Sequence, residues 1–402
     1  MQNYPILLIT TENYVPFAAC LMTSIIYNTN KIVGGGQNKP YCFYVLSDSL
    51  CTTTQEKLLK LQSELSAIYP CEIQCFLIDD SPFKIFPSPR GNYVGYYLLK
   101  FENILPKEIH KILYIDIDML VCCDLRELFA IDLEQKTAGV VLDYLSEHHN
   151  LKGKNNNENL PIAKEFFNAG ILLIDMKKWR NQEIEAQFEN IASSYIWKPY
   201  DQDLLNAALF GKTKILPLNY NMLVYYYANS KARDEGKKYN VSYTRKELKC
   251  ALKNPKILYY YLDYKPWRDD KIYVDTKGEF LGKYWWDIAQ KTPVFTDELM
   301  RLKESASQAR VFQAALGFLL LKFARFGLYF LLPIQAYWIM KKGLDNQASQ
   351  EIPRGDYNLS IEIGKEAIKA YNKGKGRLLA LPFRILNLQK RFQLAKKRLE
   401  GL

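Results

Sequence analysis

The chain lacks the features that would carry it into or across a membrane. No basic cluster precedes the short apolar run Ile6–Ile9, and no stretch reaches the roughly 20 apolar residues a membrane-crossing helix needs. Neither export nor spanning is expected. Histidine is scarce, with His110, His148 and His149 the full complement. Cysteine is modest: eight residues show no paired CxxC framework and are read as reduced, and Cys71 and Cys75 have no second half of a zinc site after them.

What is present is ordinary globular material. The 402 residues are 48% hydrophobic and 24% charged, enough for one large α/β domain with an appendage and unlike a disordered chain. The net charge of +11 resembles a nucleic-acid signal until it is located. Residues 301–402 carry 19 Lys and Arg against 7 Asp and Glu, whereas residues 1–300 carry 35 against 36. The excess belongs to the tail, so two regions are expected: a neutral domain over 1–300 and a basic one over 301–402.

Short apolar runs rich in β-formers alternate with longer polar or helical segments through the first region. They are Ile6–Thr10, Tyr41–Leu46, Ile73–Ile78, Ile112–Ile115, Gly139–Leu142, Ile171–Ile174 and Ile257–Tyr261. This rhythm predicts a mixed α/β sheet covered by helices, with ligands gathering beyond the carboxyl ends of its strands. Acids at those ends matter most. Asp143 follows Leu142 and Asp175 follows Ile174, but only Lys111–Ile115 runs into two acids, Asp116-Ile117-Asp118. At i and i+2 on an extended chain they share a side. Two convergent carboxylates suit a hard divalent cation, which in turn suits a diphosphate. An isolated pair of this kind is more often just exposed turn acids.

Asp116-Ile117-Asp118 within KILYIDIDMLV is followed by EFFNAGILLIDMKKWR (165–180), YDQDLLNAAL (200–209), LPLNYNML (216–223), YKPW (264–267) and the pair Trp285-Trp286. In order and approximate spacing this set resembles glycosyltransferase family 8, in particular the bacterial galactosyl- and glucosyltransferases of lipopolysaccharide outer core, over roughly residues 5–295. The resemblance implies a GT-A, Rossmann-like fold, a UDP-sugar donor, Mn2+ (or Mg2+) and retention of anomeric configuration. Carried over by position, it gives Asp116, Ile117 and Asp118 to metal and nucleotide, and Thr11, Asn13 and Tyr14 to the nucleotide end. It gives Asp143, Asn168, Asp201 and Gln202 to the surroundings of the donor sugar, Ala169 and Gly170 to a close backbone approach, and Lys265 to the departing diphosphate. Asp201 and Gln202 are the candidates for stabilising an oxocarbenium-like sugar. Bland alternatives stand beside these: Asn168 as a turn residue, Asp201 as the cap of a helix starting near Leu204, Lys265 as a solvated charge.

Several positions depart from the family pattern. Its third metal ligand, a His, falls on Tyr259, a poor ligand while its phenol stays protonated; none of the three histidines fills that place in sequence, and Asp263 on the same face is the proposed replacement. A usual Arg falls on Leu98 with Lys100 two places on, an early nucleotide Asp falls on Thr11, and a Gly near the diphosphate falls on Leu262.

The tail holds two apolar runs, Val311–Leu321 and Phe326–Met340, broken by Lys322, Arg325 and Pro333. Phe312, Phe318, Tyr329, Tyr337 and Trp338, with basic residues at the breaks, suit helices lying among lipid headgroups. Ile385, Leu388, Phe392, Ala395 and Leu399 recur at helical spacing, with Arg384, Lys390, Arg391, Lys397 and Arg398 off that stripe. An anionic membrane surface is the expected partner of residues 301–402; a helical subdomain packed on protein is the alternative, and nucleic acid is not expected. The expectation is a cytoplasmic enzyme attached peripherally to the inner face of the membrane, moving a hexose from a UDP-sugar to a glycan or glycolipid acceptor. The alternative is a membrane-associated sugar-nucleotide-binding protein with lost or residual catalysis.

Overall fold

All seven apolar runs become strands. In the computed structural model, which describes residues 3–30, 39–88, 91–143, 150–155, 159–198, 200–229, 243–261, 264–268, 273–342 and 357–400, the strands are β1 (Tyr4–Ile9), β2 (Tyr41–Ser47), β3 (Cys71–Leu77), β4 (Lys111–Ile115), β5 (Met119–Val121), β6 (Ala138–Leu142), β7 (Leu151–Gly153), β8 (Asn159–Leu160), β9 (Phe167–Asp175), β10 (Tyr195–Ile196), β11 (Thr213–Ile215), β12 (Met222–Leu223) and β13 (Ile257–Tyr259).

A seven-stranded sheet has the order β11-β6-β9-β4-β1-β2-β3. β1 pairs in parallel with both β2 and β4, β2 with β3, and β11 with β6, while β9 runs antiparallel to β4 and β6. β13 leaves this sheet for a smaller one, β12-β13-β5, and the seventh place in the large sheet goes to the short β11. Every residue of β2 and of β6 is buried, as expected of central strands covered on both faces, which read as unbroken apolar runs.

Strand direction sorts the three acids that follow apolar runs. β4 and β6 point the same way, so Asp116 and Asp143 emerge at one edge. β9 is antiparallel, so its start, Asn168 to Gly170, lies at that edge and its end lies at the other. There Asp175 accepts from Lys178 N–H at 3.0 Å and caps the helix Met176–Asn181, a local role. β1 winds towards β2 on one side and meets β4 on the other, so the β1/β4 boundary is a topological switch point where a crevice opens.

Two compact units divide after Met300: Met1–Met300 and Arg301–Leu402. In the second, parts of the helices Thr296–Arg325, Leu332–Lys342, Tyr357–Asn372, Lys375–Leu379 and Leu381–Glu400 enclose a core that includes Leu316, Leu320, Leu332, Ala336, Ile363, Ala367, Leu381 and Ile385. Gly317 and Gly364 let two of these helices touch backbone to backbone: a Cβ on Gly317 would sit 1.6 Å from Ser360 O, and one on Gly364 2.0 Å from Gln313 O. Pro333, read above as a break, opens the helix Leu332–Lys342, where its missing N–H is harmless; the break itself falls at Gly327, with φ +75°. Ile385 and Leu388 face this core, and the side chains of Phe392, Ala395 and Leu399 lie outside the described residues. No described helix is long and apolar enough to cross a membrane.

Candidate active site

At the shared edge of β1, β4 and β6 lies a cleft of about 930 Å³, lined among others by Thr10, Thr11, Tyr14, Asp116, Ile117, Asp118, Asp143, Ala169, Gly170, Asp201, Gln202, Tyr259 and Lys265. Most residues singled out in the sequence meet here. Asn13 is exposed and absent from the lining, and Asn168 is buried beneath it. Asp263 and Leu262, like His148 and His149, lie outside the described residues.

Asp116 and Asp118 converge by a turn rather than along extended chain. Strand β4 stops at Ile115, Met119 N–H reaches back to Asp116 O at 3.2 Å, and β5 then leaves for the small sheet to pair with β13. Asp116 N–H donates to Gly170 O at 2.9 Å and Tyr260 N–H to Asp118 O at 3.0 Å. One acid is thus tied to β9 and the other to the segment after β13. A Cβ on Gly170 would meet the Tyr259 ring at 2.6 Å and Met119 Cε at 2.7 Å, so this glycine is required by close approach.

Both oxygens of Asp116 accept tyrosine hydroxyls: Oδ1 from Tyr114, Oδ2 from Tyr259 at 2.5 Å. Lys265 Nζ bonds Asp118 Oδ2 and, at 2.6 Å, Tyr260 O. The tryptophans of the recurrent motifs explain how that lysine is held. Trp267 stacks on Phe17 at 4.0 Å, Trp285 packs against both rings, and Trp286 Nε1 donates to Pro266 O at 3.2 Å.

The two acidic motifs are stapled together by amides. Asn206 Oδ1 accepts Phe167 N–H at 2.8 Å while its Nδ2 donates to Phe167 O at 2.9 Å. Gln202 Oε1 accepts from Ala169 N–H at 3.2 Å and Asn168 Nδ2 at 3.4 Å. Asn168 Oδ1 accepts in turn from Gly170 N–H at 3.0 Å and Asn221 Nδ2 at 2.8 Å. Asn168 is therefore a strand residue that fixes Gln202, not a turn. Asp201 occupies the N-cap of the helix Gln202–Ala208 without the usual side-chain capping bond; the backbone N–H groups of Asp201 and Gln202 pull on its carboxylate, which lines the cleft. Tyr200 before it holds φ +81°, rare for a residue with a side chain, and its ring fills the space over Gly95, where a Cβ would meet it at 2.6 Å.

Acids crowd this cleft. Burial first, then Asp118, pushes Asp116 up to about 6, against the pull of Tyr114, Tyr259 and Lys265. Burial and then Asp116 push Asp201 up to about 8. The same two causes drive the Tyr259 phenol well above its ordinary value, so it keeps its proton. Acids crowded this closely resist ionising together, and a bound cation would let them. Asp116 and Asp118 fit a hard divalent ion that takes its remaining ligands from water and phosphate oxygens. Tyr259 does not fit as a third ligand, because its phenol stays protonated and donates a hydrogen bond to Asp116. Among the described residues no three His, Cys, Asp or Glu side chains are grouped to hold a metal.

Sequence reasoning passed over Tyr114, Asn221, Asn206, Tyr200, Lys198 and Arg268. The first four and Arg268, which follows YKPW, stand inside or beside quoted motifs, which was the available signal; Lys198 lines the cleft with no pattern to mark it. Lys100, two places from the buried Leu98, pairs with Glu189 at 3.0 Å and is not part of the lining.

Comparison with known proteins identifies relatives of this chain and of its fold. The family described as Glycosyl transferase family 8 matches residues 5–271. Lipopolysaccharide 1,2-glucosyltransferase of Escherichia coli is 30% identical over 264 residues, 64% of this chain and 71% of that protein. General stress protein A of Bacillus subtilis (strain 168) is 23% identical over 280 residues, 68% of this chain and 89% of that one. Among solved structures, galactosyltransferase LgtC, in complex with donor and acceptor sugar analogs, superposes with a TM-score of 0.53 at 20% identity, covering 71% of this chain and 95% of that chain. The bifunctional glycosyltransferase WbbM gives 0.57 at 20% identity, covering 75% of this chain and 52% of that chain. These likenesses fix the fold as GT-A.

Proposed function

Because the chain belongs to glycosyl transferase family 8 and is a hexosyltransferase, we propose that it moves galactose or glucose from a UDP-sugar, with retention of configuration, onto a lipopolysaccharide or other surface-glycan acceptor. The observation that carries this reading is the gathering of Asp116, Asp118, Asp143, Asp201, Gln202 and Lys265 in one cleft at the switch point.

Asp116 and Asp118 would hold a divalent cation, Mn2+ or Mg2+, which when bound offsets the charge of the leaving diphosphate. Lys265, kept by the Trp267 and Trp286 anchors at the mouth of the acid pair, turns its ammonium from Asp118 to that diphosphate and stabilises it as the bond to the sugar breaks. Thr11 and Tyr14 border the nucleotide end. Gln202, its oxygen oriented by Ala169 N–H, and Asp201 face the anomeric centre and stabilise its developing positive charge. Asp143 and the narrow backbone at Ala169 and Gly170 shape the sugar pocket. An amide is a poor nucleophile, which favours attack by the acceptor hydroxyl on the face the diphosphate leaves.

A lipid-linked acceptor places the reaction at the cytoplasmic face of the membrane, with residues 301–402 turned towards anionic lipid. Incubation with UDP-galactose or UDP-glucose, with and without Mn2+, tests the proposal by UDP release and by mass spectrometry of the product. Release of UDP and glycosylated product support it. The Tyr259–Asp116 bond favours one other reading, a sugar-nucleotide-binding protein with residual catalysis; UDP binding without turnover in either metal condition would select it.

A further inference from the structure

We propose that the helical unit of residues 301–402 carries an interfacial lipid-binding face built from Phe326, Phe330, Ile334, Trp338, Leu379 and Phe383, whose occupant is an anionic bilayer surface. This deepens the peripheral placement given above and is independent of the chemistry in the cleft. All six side chains are between 52% and 80% exposed, and Phe326, Phe383 and Phe330 are the three most exposed aromatic residues of the described chain.

They are not core residues that failed to find a core. The unit has its own, and the same helices feed it. On Leu332–Lys342, Leu332 and Ala336 are buried while Ile334 and Trp338, one turn apart, are exposed; Phe330 stands one turn before Ile334. Leu378, Leu381 and Ile385 are buried while Leu379 and Phe383, four residues apart, are exposed. Leu332–Lys342 contacts both Lys375–Leu379 and Leu381–Glu400, so the two sets lie on touching elements. The aromatics expected at a membrane from the sequence are partly reassigned: Phe318 is buried, Phe312 and Tyr329 pack on the core, and Tyr337 meets the Tyr371 ring at 5.8 Å.

Charge identifies the occupant. No Asp or Glu occurs between Glu304 and Asp345 or between Glu366 and Glu400, the two stretches that hold the six residues. Exposed Lys322 and Arg325 precede Phe326, Lys341 follows Trp338, and Lys373 and Arg377 precede Leu379. Aromatic side chains rimmed by cations partition to the headgroup boundary and prefer anionic lipid. A second copy would set this basic face against its like. Exposed apolar surface of this extent on a soluble unit marks an interaction site.

The test is cosedimentation of the full chain with phosphatidylcholine vesicles, with and without phosphatidylglycerol. Binding is expected with phosphatidylglycerol, and Phe330→Ser with Trp338→Ser and Phe383→Ser should weaken it about tenfold or more at unchanged helical circular dichroism. As a second arm that needs no heavily altered protein, brominated lipid should quench the fluorescence of the wild type more than that of Trp338→Phe. No vesicle binding, equal binding by the triple variant, equal quenching in the second arm, or a dimer in sedimentation velocity that the three substitutions dissolve would each overturn the proposal.

Discussion

Tyr259 donates its hydroxyl proton to Asp116 Oδ2 at 2.5 Å, while Tyr114 occupies Oδ1 of the same carboxylate. In this chain the acid at the end of β4 is therefore satisfied by hydrogen-bond donors of its own fold. The position at which the family resemblance implies a neutral nitrogen ligand holds a donor instead of an acceptor.

Tyr259→His restores a nitrogen that suits a divalent transition metal. Mn2+ affinity, read by electron paramagnetic resonance in the presence of UDP, should rise on the order of 10-fold, whereas Tyr259→Phe should bring no gain. Equal affinity in all three proteins would show that this position does not face the cation.

Gly170→Ala should cost about 1–3 kcal/mol of stability and more than its share of activity. The added methyl would sit 2.6 Å from the Tyr259 ring and 3.0 Å from Asn168 Oδ1, so it disturbs the partners of Asp116 and Gln202 together. Urea unfolding and steady-state turnover measured side by side check this. A stable variant with wild-type turnover would mean that the floor of the cleft can shift.

Lys265→Met keeps an apolar stem beside Trp267, whose ring centroid lies 5.9 Å from Nζ, and removes the ammonium. Turnover should fall on the order of 10²- to 10³-fold with the urea midpoint little changed. A loss confined to KM would assign the lysine to donor binding alone.

Glu185 supplies a pH test apart from the cleft. Its carboxylate accepts Glu102 N–H at 2.6 Å, and burial pushes its pKa from 4.5 up to about 7. The folded chain therefore holds this proton more tightly than the unfolded one between about pH 4.5 and 7. That contribution is complete below pH 4.5 and is lost as pH rises to 7. Glu185→Gln should gain up to about 3 kcal/mol relative to the wild type between pH 4 and 8. Urea midpoints at the two pH values measure it, and parallel pH profiles would contradict the assignment.

Much of the central sheet could be read ahead of the structure because strands such as β2 and β6 are buried on both faces, which writes each as an unbroken apolar run. β11 escaped that reading since it has three residues, of which only Thr213 is buried. β13 was legible as a strand, but nothing local says that its partners are β5 and β12. In the cleft, Asp116, Asp118, Asp201 and Gln202 were visible through their motifs. Asn221 was visible only as a letter within one, because its role lies in a bond to a residue 53 positions away.

Composition and pattern by themselves determined the α/β alternation, the acids at strand ends, and the concentration of positive charge beyond residue 300, since each follows from local periodicity or simple counting. Tertiary structure alone decided which of those acids share an edge. The direction of β9 sends Asp175 to a helix cap and brings Asn168 beneath Gln202, and direction is a property of pairing between distant segments. It decided also that Phe318 is core and Phe330 surface. Both are aromatic residues in apolar runs, and only the packing of neighbouring helices distinguishes the side that is covered from the side left exposed.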